Sequence, residues 1–364
     1  MRVLTVISHY HRLEETPQGR RAYGSDRLPL AKIAALNAAI VGLHRHFGPR
    51  SNPAQQAWTL DIVVTSVEGA NLLEWIGIEP PAYQVEYYDG PPLMLPFEAQ
   101  RIMGERAGGY DLYAYLEDDL IIDDPAFFEK IVWFSSTFGP KAVLTPLRYE
   151  MAHTGTLARL AVDRQLSRTA LAPFRRSGSP ATLSGVWNGK TQAFGLPDNP
   201  HSGIFAVTDE QLKLWMASDV FYDRDTSWVG PLESAATLAP GKVFDLYRAT
   251  APNPWFLAIE HFGTYYASQN EVEAGVFGEP PLLAWAEAAA TSGAGVPAML
   301  AEIAASAKTN NMLAAEVVKY RGRLEALENS CINLAATLAK TLWRKTSGPA
   351  RAVRPRGQRL EEFG

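Results

Sequence analysis

The segment from Tyr110 to Phe128 constrains the fold of this chain more than any other. It reads YDLYAYLEDDLIIDDPAFF, an apolar and aromatic run that stops at three consecutive acids, Glu117, Asp118 and Asp119. The run predicts a buried strand, and the apolar spacing after Pro125 predicts an amphipathic helix. This order places several carboxylates at the carboxyl end of a strand, which is where open α/β sheets bind ligands.

The acid cluster predicts a metal site. Three adjacent carboxylates in a half-buried place repel one another unless a cation lies among them. Hard oxygen ligands suit Mg²⁺ or Mn²⁺, and such ions commonly bridge substrate phosphates. The alternative is a solvated acidic turn, which the three letters alone do not exclude. The buried strand before the acids favours the metal site, so we expect Mn²⁺ or Mg²⁺ as cofactor.

This motif resembles the DXD region of the GT-A-fold nucleotide-sugar glycosyltransferases. LEDDL, the acidic turn and the P-x-FF that follows are most similar to the motif of the Golgi N-acetylglucosaminyltransferases, although that similarity covers only a short part of the chain. In the family the last acid of the motif holds Mn²⁺ and the first contacts the nucleotide. The resemblance therefore implies Asp119 as metal ligand and Glu117 as nucleotide contact, with Asp118 between them as a further nucleotide-binding residue.

The order of predicted elements is that of an α/β domain, and it resembles the GT-A plan, a Rossmann-like mixed sheet flanked by helices. Apolar runs and period-two alternation predict strands at residues 2–8, 60–65, 83–88, 112–116, 141–146, 202–208 and 242–249. Helical spacing and capping residues predict helices from Pro29, over 95–107, from a cap at Asp209 through Trp215, and over 230–238. Residues 148–200 are the least regular part, where this fold usually carries acceptor specificity, and 253–263 is predicted as a loop.

Residues that follow the first two strands are the candidates for binding the nucleotide. They are Ser8, His9, Tyr10, Thr65 and Glu68. Arg101 lies on the helix before the acids and could reach a phosphate, although an exposed helix position explains it equally well. Residues 12–28 are polar and predict a loop that could close over the donor.

Glu233 is the candidate general base. In several inverting families of the GT-A fold an acid at the start of this helix removes the acceptor proton. Asp223 and Asp225 are its competitors, and a favourable acid in a first helical turn is the alternative explanation. The resemblance implies inverting transfer. The paired acids usual at that place are missing from this sequence, so the stereochemistry stays open.

The same resemblance implies an acceptor side and a second metal ligand. His201, Ser202 and Gly203 open the strand on the acceptor side, where a glycine would let a sugar approach the backbone. His261, in the sequence HFG, resembles the C-terminal histidine that many enzymes of this fold place near the metal. The alternative for His261 is a loop histidine with ordinary hydrogen bonds.

Composition narrows the class of protein. The chain has 364 residues, 47% of them hydrophobic and 20% charged, a net charge of −5 and a single cysteine. These values are ordinary for a globular protein, offer no reason to expect a nucleic-acid partner, and exclude an intrachain disulfide. The short apolar N-terminal stretch lacks a signal-peptide cleavage site, and no apolar run reaches membrane-spanning length. We therefore expect a cytoplasmic protein.

The last hundred or so residues have a different character. We expect a glycosyltransferase domain over residues 1–270, a helical appendage over 280–345 and a basic flexible tail over 346–364. The appendage carries apolar residues alternately four and three apart, which is typical of a coiled coil that joins two copies, or of a helix packed on its own domain. The tail could add peripheral contact with anionic lipid, or be simply a solvated end.

The sequence therefore predicts a metal-dependent glycosyltransferase that moves a sugar from a nucleotide-sugar donor to a glycan, lipid or protein. Two alternatives stay open. One is a non-catalytic interaction protein that acts through its coiled coil, and the other is a metal-dependent phosphohydrolase or nucleotidyltransferase. The sequence has neither a GxGxxG fingerprint nor a Walker A motif, which argues against NAD enzymes and P-loop NTPases.

Overall fold

The structure is a computed structural model, and it describes residues 1–12, 29–49, 58–151, 159–163, 165–263 and 266. All of these belong to the first of the two units into which the chain divides, Met1–Gly278, and the second unit is Glu279–Gly364. The predicted donor loop beyond residue 12, the helical appendage and the basic tail lie outside the described residues. The three domain boundaries therefore stay predictions.

The described residues form a mixed α/β fold of strands and flanking helices. The strands are β1 Arg2–Ser8, β2 Thr59–Ser66, β3 Gln84–Tyr87, β4 Leu112–Glu117, β5 Leu120–Ile121, β6 Ala142–Leu144, β7 Leu147–Met151, β8 Arg159–Ala161, β9 Thr182–Trp187, β10 Lys190–Gly195, β11 Ile204–Thr208, β12 Asp245–Ala249 and β13 Ala258–His261. The α-helices are α1 Pro29–Phe47, α2 Glu98–Glu105, α3 Phe127–Phe138, α4 Arg168–Leu171, α5 Asp209–Met216, α6 Pro231–Glu233 and α7 Ala239–Gly241. A π-helical turn, Ser234–Leu238, joins α6 to α7.

The central sheet has the strand order β11-β4-β1-β2-β3. The four strands β1 to β4 run parallel, and β11 pairs antiparallel with β4 at one edge. In this register Ser8 lies opposite Thr65 on one side and Glu117 on the other. The carboxyl ends of the parallel strands therefore bring these three residues to one edge of the sheet.

Helices cover both faces of the central sheet because the strands alternate between two apolar sets. Val3 and Ile7 of β1 pack with the residues of α1 and α3 in one core cluster. Leu4 and Val6 pack with those of α2 and α5 in a second cluster. Strands buried on both faces read as nearly continuous apolar runs, which is why β1 and β4 could be recognised in the sequence.

A smaller sheet has the order β5-β13-β7-β8, and its strand β5 begins directly after the acid triplet. In the antiparallel β13–β5 pair, His261 lies opposite Leu120, immediately after the acid triplet. The backbone N–H of Phe262 also donates to the carbonyl of Asp119, at 2.7 Å. Residues 253–263, predicted as a loop, thus contain a strand that brings His261 to Asp119. A third sheet has the order β6-β12-β10-β9.

Two further local predictions were wrong. Asp209 is not the cap of its helix: the Thr208 side chain accepts from the backbone of Gln211, whose own side chain accepts from the Thr208 backbone N–H, so Asp209 is the first helical residue. The supposedly irregular stretch 148–200 contains the hairpin β9–β10, which turns at Asn188 and Gly189 with φ values of 47° and 74°. Asn-Gly at such a turn is a strong hairpin signal.

Among the residues described, no helix is long and apolar enough to cross a membrane.

Candidate active site

The carboxyl edge of the central sheet gathers the predicted nucleotide residues. Ser8 Oγ and Thr65 Oγ1 lie 3.2 Å apart, and both residues are buried. Glu68 is exposed on the turn that follows β2. The carbonyl of Tyr10 accepts a hydrogen bond from Lys32 of α1 at 2.6 Å, which ties the end of β1 to that helix. These positions lie at one edge of the sheet, as the sequence predicted. Their contact with a nucleotide stays a prediction.

Asp118 is paired with His9, which follows β1, and with Lys32 of α1. Its Oδ2 lies 2.6 Å from His9 Nδ1 and 3.3 Å from Lys32 Nζ. The other ring nitrogen of His9, Nε2, accepts a hydrogen bond from the backbone N–H of Leu72, so the proton must reside on Nδ1 and is donated to Asp118. Burial acts to raise the pKa of Asp118, but Lys32 and His9 outweigh it and lower that pKa. Asp118 and His9 therefore form an internal clasp, which argues against the nucleotide contacts predicted for them.

Asp119 faces His261 across the β5–β13 pair. Asp119 Oδ2 lies 3.6 Å from His261 Nε2, and the opposite ring nitrogen, Nδ1, lies 2.6 Å from Oε1 of the fully buried Glu150. Burial acts to lower the pKa of His261, but Asp119 and Glu150 outweigh it and raise the pKa to about 9. The structure thus brings together the two residues predicted as metal ligands.

The surroundings of Glu117 raise the pKa of its carboxyl group. Burial, reinforced by the charge of Asp119, raises its pKa to about 8, and Glu233 contributes in the same direction. Within the residues described, Glu117 Oε1 is shielded from solvent and has no hydrogen-bond partner. A buried carboxyl oxygen that lacks a hydrogen-bond partner and is affected by the charges of two other acids is the kind of group that a cation or a ligand donor satisfies.

Gly203 makes room for Glu117. Its φ is +66°, and a Cβ at this position would lie 2.6 Å from Glu117 Oε2 and 2.7 Å from Leu120 Cδ1. The Gly203 carbonyl also accepts from the backbone N–H of Glu117 at 3.0 Å. The glycine is therefore explained by the approach of the Glu117 side chain, a different reason from the sugar approach that the sequence suggested.

Replacing Glu117 by Gln is expected to make stability less sensitive to alkaline pH. The unfolded carboxyl releases its proton near 4.5 and the folded one near 8, so the folded state holds the extra proton between these values and loses stability as the pH rises through them. Gln keeps the shape of the protonated group without ionising. Denaturant titrations at about pH 5 and about pH 9 measure the free energy of unfolding of both proteins. The variant's value relative to wild type should be higher at pH 9 than at pH 5 by roughly 2–5 kcal/mol. If the free energies of unfolding of wild type and variant changed equally with pH, the raised pKa of Glu117 would be contradicted.

Glu233 lies near the start of the helical run from Pro231 to Gly241. It ends the short helix α6 and is followed directly by the π-helical turn, a feature found frequently at functional sites. Glu233 Oε2 is shielded from solvent and lacks a hydrogen-bond partner in the described part of the chain. The charge of Glu233 acts to raise the pKa of Glu117.

The competing bases Asp223 and Asp225 are already engaged. Lys242 Nζ lies 2.5 Å from Asp223 Oδ2 and 2.7 Å from Asp225 Oδ2. Hydrogen bonds from Lys242 and Ser227 hold the pKa of Asp225 at about 2, far too low for a base near neutral pH. The structure therefore argues against catalytic roles for both residues and leaves Glu233 as the candidate.

Arg101 is likewise neutralised. Its guanidinium binds Glu98, Glu105 and Glu86, at 2.6, 2.8 and 3.1 Å. A cation already paired with three carboxylates has little capacity left for a phosphate, so the phosphate role predicted for Arg101 finds no support.

The predicted acceptor residues lie at the start of β11. His201 is buried, and its Nδ1 lies 3.0 Å from Thr237 Oγ1 in the π-helical turn. Ser202 is also buried and donates to the carbonyl of Ile204 at 3.1 Å, which leaves its hydroxyl committed to the backbone. Of the three predicted acceptor residues, His201 is thus the one whose side chain contacts the π-helical turn after Glu233, and the acceptor role stays a prediction.

Sequence reasoning missed a buried charged group beside the site. Asp163 accepts from Arg148 Nε and Nη2 at 3.0 and 2.9 Å and lies 3.4 Å from Arg248 Nη1. Arg148 and Glu150 are two apart on β7, so they share one face of that strand. Alternating charges within a short apolar strand were the available signal, but the surrounding stretch had been interpreted as irregular.

Comparison with known proteins adds little. No protein-family model matches the sequence, and no curated protein matches it. Among solved structures, the chain is similar to CMP:2-keto-3-deoxy-manno-octonic acid synthetase complexed with CTP, at 13% identity and a TM-score of 0.25, over 59% of this chain and 78% of that one. A TM-score of this size carries no argument about fold or activity.

Proposed function

We propose that the described domain transfers a sugar from a nucleotide-sugar donor with the help of a divalent cation. The supporting observation is the pairing of Asp119 with His261 directly after β4, at the carboxyl edge of parallel strands, beside Glu117, whose pKa the charges of Asp119 and Glu233 both raise. That edge is where open α/β sheets bind ligands, and the strands before it are buried.

The donor set fits a divalent cation of the Mn²⁺ or Mg²⁺ type. Asp119 Oδ2 and His261 Nε2 would hold it, and Glu150 orients the imidazole through Nδ1, an arrangement common behind metal-bound histidines. In the part of the chain that the structure describes, no three His, Cys, Asp or Glu side chains already form a complete site. Substrate phosphates supply the remaining ligands in many such sites, and an ion held here would supply positive charge to stabilise a leaving diphosphate.

The remaining residues have distinct roles in this proposal. Glu233 Oε2 accepts the proton of the attacking hydroxyl, which corresponds to inverting transfer. Protonated Glu117 donates a hydrogen bond to the nucleotide moiety. Ser8 and Thr65 offer hydroxyl groups at the ends of β1 and β2 to the same moiety. Tyr10 and Glu68 flank it.

Thermal-shift measurements with nucleotide sugars test this proposal. We expect at least one of UDP-, GDP-, CMP- and dTDP-sugars to raise the melting temperature, and to do so more strongly with Mn²⁺, because a ligand of the folded state stabilises it in proportion to occupancy. Slow Mn²⁺-dependent release of the nucleotide should accompany binding. A shift with CTP and release of pyrophosphate would indicate nucleotidyl transfer instead. No shift with any nucleotide would contradict the proposal.

Removing the carboxylate of Glu150, which lies 2.6 Å from His261 Nδ1, should weaken metal binding although Glu150 is not itself a proposed ligand. Replacing Glu150 by Gln is expected to reduce Mn²⁺ affinity or metal-dependent activity by about 10- to 100-fold, the usual cost of losing such a supporting carboxylate. Isothermal titration with Mn²⁺ measures the affinity. Glu260→Gln on neighbouring β13 is the matched control and should leave it unchanged. Equal affinities in wild type and the Glu150 variant would remove His261 from the metal site.

Metal binding should also depend on pH. His261 has a pKa of about 9 without metal, so the ion must displace a proton when it binds at lower pH. Mn²⁺ affinity should therefore rise by roughly tenfold per pH unit from about pH 6.5 to about pH 8.5. The Glu117→Gln variant, which cannot release a proton there, isolates the part due to His261. A flat profile in that variant would show that the imidazole is not a ligand.

A further inference from the structure

Two buried arginines share one carboxylate, that of Asp163. Arg148 donates to its Oδ1 from Nε and Nη2, at 3.0 and 2.9 Å, and Arg248 Nη1 lies 3.4 Å from its Oδ2. None of the three side chains is more than 10% exposed. Arginine stays ionised in proteins, so two positive charges meet a single negative one. One positive charge is therefore left over in this cluster.

The described part of the chain offers this excess charge no second ion pair. Arg248 donates from Nη2 to the carbonyl of His201 at 3.0 Å, and its Nε is shielded from solvent without a hydrogen-bond partner among the described residues. Glu150, two residues after Arg148, lies 2.6 Å from His261 Nδ1 instead. Burying a charge without a full counter-charge costs free energy, so the cluster favours an anion where solvent can reach it.

Nη1 of Arg148 is open to a ligand. It has no hydrogen-bond partner among the described residues, yet it is not one of the side-chain nitrogens shielded from solvent. Asp163 holds Nε and Nη2, and Cζ lies over the Tyr266 ring, 5.3 Å from its centroid. Arg148 thus presents a charged donor on a guanidinium that is otherwise fixed. Arg101, which is paired with three carboxylates, has no such excess charge.

Strand β7 places Arg148 beside the proposed metal ligands. Arg148 and Glu150 are two residues apart, so they share one face of the strand and are about 7 Å apart along it. His261 lies two residues beyond the register partner of Arg148 on the parallel strand β13, and it faces Asp119 at 3.6 Å. The charge of Arg148 acts to lower the pKa of both His261 and Glu117. An anion held by Arg148 would therefore lie near an ion held by Asp119 and His261.

A phosphate group suits this donor and its neighbours. Guanidinium groups bind phosphate oxygens through short, charge-assisted hydrogen bonds. A diphosphate can bind a divalent cation and a guanidinium at the same time, and the cation would offset its repulsion from Asp119 and Glu117. A neutral hydroxyl group would leave the excess charge of the Asp163 cluster uncompensated.

We propose that Arg148 Nη1 donates a hydrogen bond to a phosphate oxygen of the donor's diphosphate, as a second anchor next to the divalent cation. Arg148 is then a binding residue that stabilises the charge developing on the leaving diphosphate. The inference rests on the proposed function and deepens it, because it assigns a residue of this chain, besides the metal ligands, to the leaving group.

Calorimetric titration of the full chain with inorganic pyrophosphate tests the inference, in EDTA so that the outcome does not depend on the metal site. We expect wild type to bind pyrophosphate and Arg148→Gln to raise the dissociation constant about 10- to 100-fold, the usual loss for a hydrogen bond between charged groups. Arg248 keeps Asp163 paired in this variant, so no buried carboxylate is left alone. Arg159→Gln, at a half-exposed position on β8, is the matched control and should bind like wild type.

Manganese affinity separates a binding role of Arg148 from a structural one. In Arg148→Gln the dissociation constant for Mn²⁺, measured without phosphate, should stay unchanged or fall, because the substitution removes a positive charge near the ion. A variant that lost its affinity for Mn²⁺ together with that for pyrophosphate would assign Arg148 a structural role instead.

Wild-type crystals soaked with pyrophosphate in EDTA test the same contact without any variant. We expect a phosphate oxygen within about 3 Å of Arg148 Nη1. Pyrophosphate bound elsewhere, no binding at all, or equal affinity in wild type and Arg148→Gln would overturn the inference. If nucleotide sugars bind in the thermal-shift screen while pyrophosphate binding does not depend on Arg148, only this inference fails. If pyrophosphate binding depends on Arg148 while no nucleotide sugar binds, the glycosyl-transfer proposal fails instead.

Discussion

Replacing Asp119 by Asn is expected to lower Mn²⁺-dependent turnover of the nucleotide-sugar donor by about 100- to 1000-fold. The change keeps the size of the side chain and removes the negative charge that faces His261 Nε2 at 3.6 Å. A bound cation contributes several kcal/mol of charge stabilisation when a diphosphate leaves, and every 1.36 kcal/mol or so is a factor of ten in rate. Steady-state release of the nucleotide, with and without Mn²⁺, measures the effect.

Asp123→Asn is the matched control for that experiment. Asp123 belongs to the second acid pair of the same segment, and the basic side chains that pair with it in the described part of the chain, Arg159 and His46, are 3.8 and 3.9 Å away. Half of its side chain is exposed, so its loss should change turnover little. If Asp119→Asn retained full activity, or if both variants lost it equally, the assigned metal ligand would be wrong. A wild type without any metal-dependent turnover would favour the non-catalytic alternative.

Replacing Asp118 by Ala is expected to lower the free energy of unfolding by about 3–5 kcal/mol. The carboxylate joins the donated proton of His9 to the ammonium group of Lys32, and all three residues are buried. Removing one partner of a buried ion pair leaves an uncompensated charge, which is among the largest effects a point substitution produces. Denaturant unfolding at neutral pH measures it.

The pH dependence of this effect distinguishes the clasp from simple loss of packing. The pKa of Asp118 is lowered in the folded protein, so its contribution is present above the unfolded value of 3.8 and declines as the pH falls toward the folded one. The gap between wild type and Asp118→Ala should therefore narrow in acid. Asp123→Ala, in the same segment, should cost no more than about 1 kcal/mol. A gap that is small, or constant with pH, would show that the clasp contributes no ionic stabilisation.

The sequence predicted the central sheet well because buried parallel strands have a strong signature. β1, β2 and β4 lie within a residue or two of the predicted strands, and the acid triplet does follow a buried strand. The capping box at Thr208 shifted the predicted cap by one residue, because Thr208 and Asp209 are both good caps and the partner at Gln211 decides between them. Local sequence patterns therefore predicted the buried strands and placed the helix cap to within one residue.

The roles of the individual acids could not be predicted from the motif alone. Glu117, Asp118 and Asp119 are consecutive, yet they face Gly203, His9 and His261 respectively. Consecutive residues point in different directions, and the partners come from strands far apart in the chain. The ion pairs that Lys242 makes with Asp223 and Asp225 are tertiary, so the sequence did not show that these acids are engaged. Two of the pairs of Arg101 are instead local, with Glu98 and Glu105 three and four residues away on the same helix, and that spacing was available in the sequence.

An anomalous difference map from crystals soaked with MnCl₂ and the nucleoside diphosphate that gives the largest thermal shift tests the central claim most directly. We predict a manganese peak bonded to Asp119 Oδ2 and His261 Nε2, with diphosphate oxygens on the same ion. A map that shows the nucleotide bound elsewhere, with no manganese at Asp119, would contradict it.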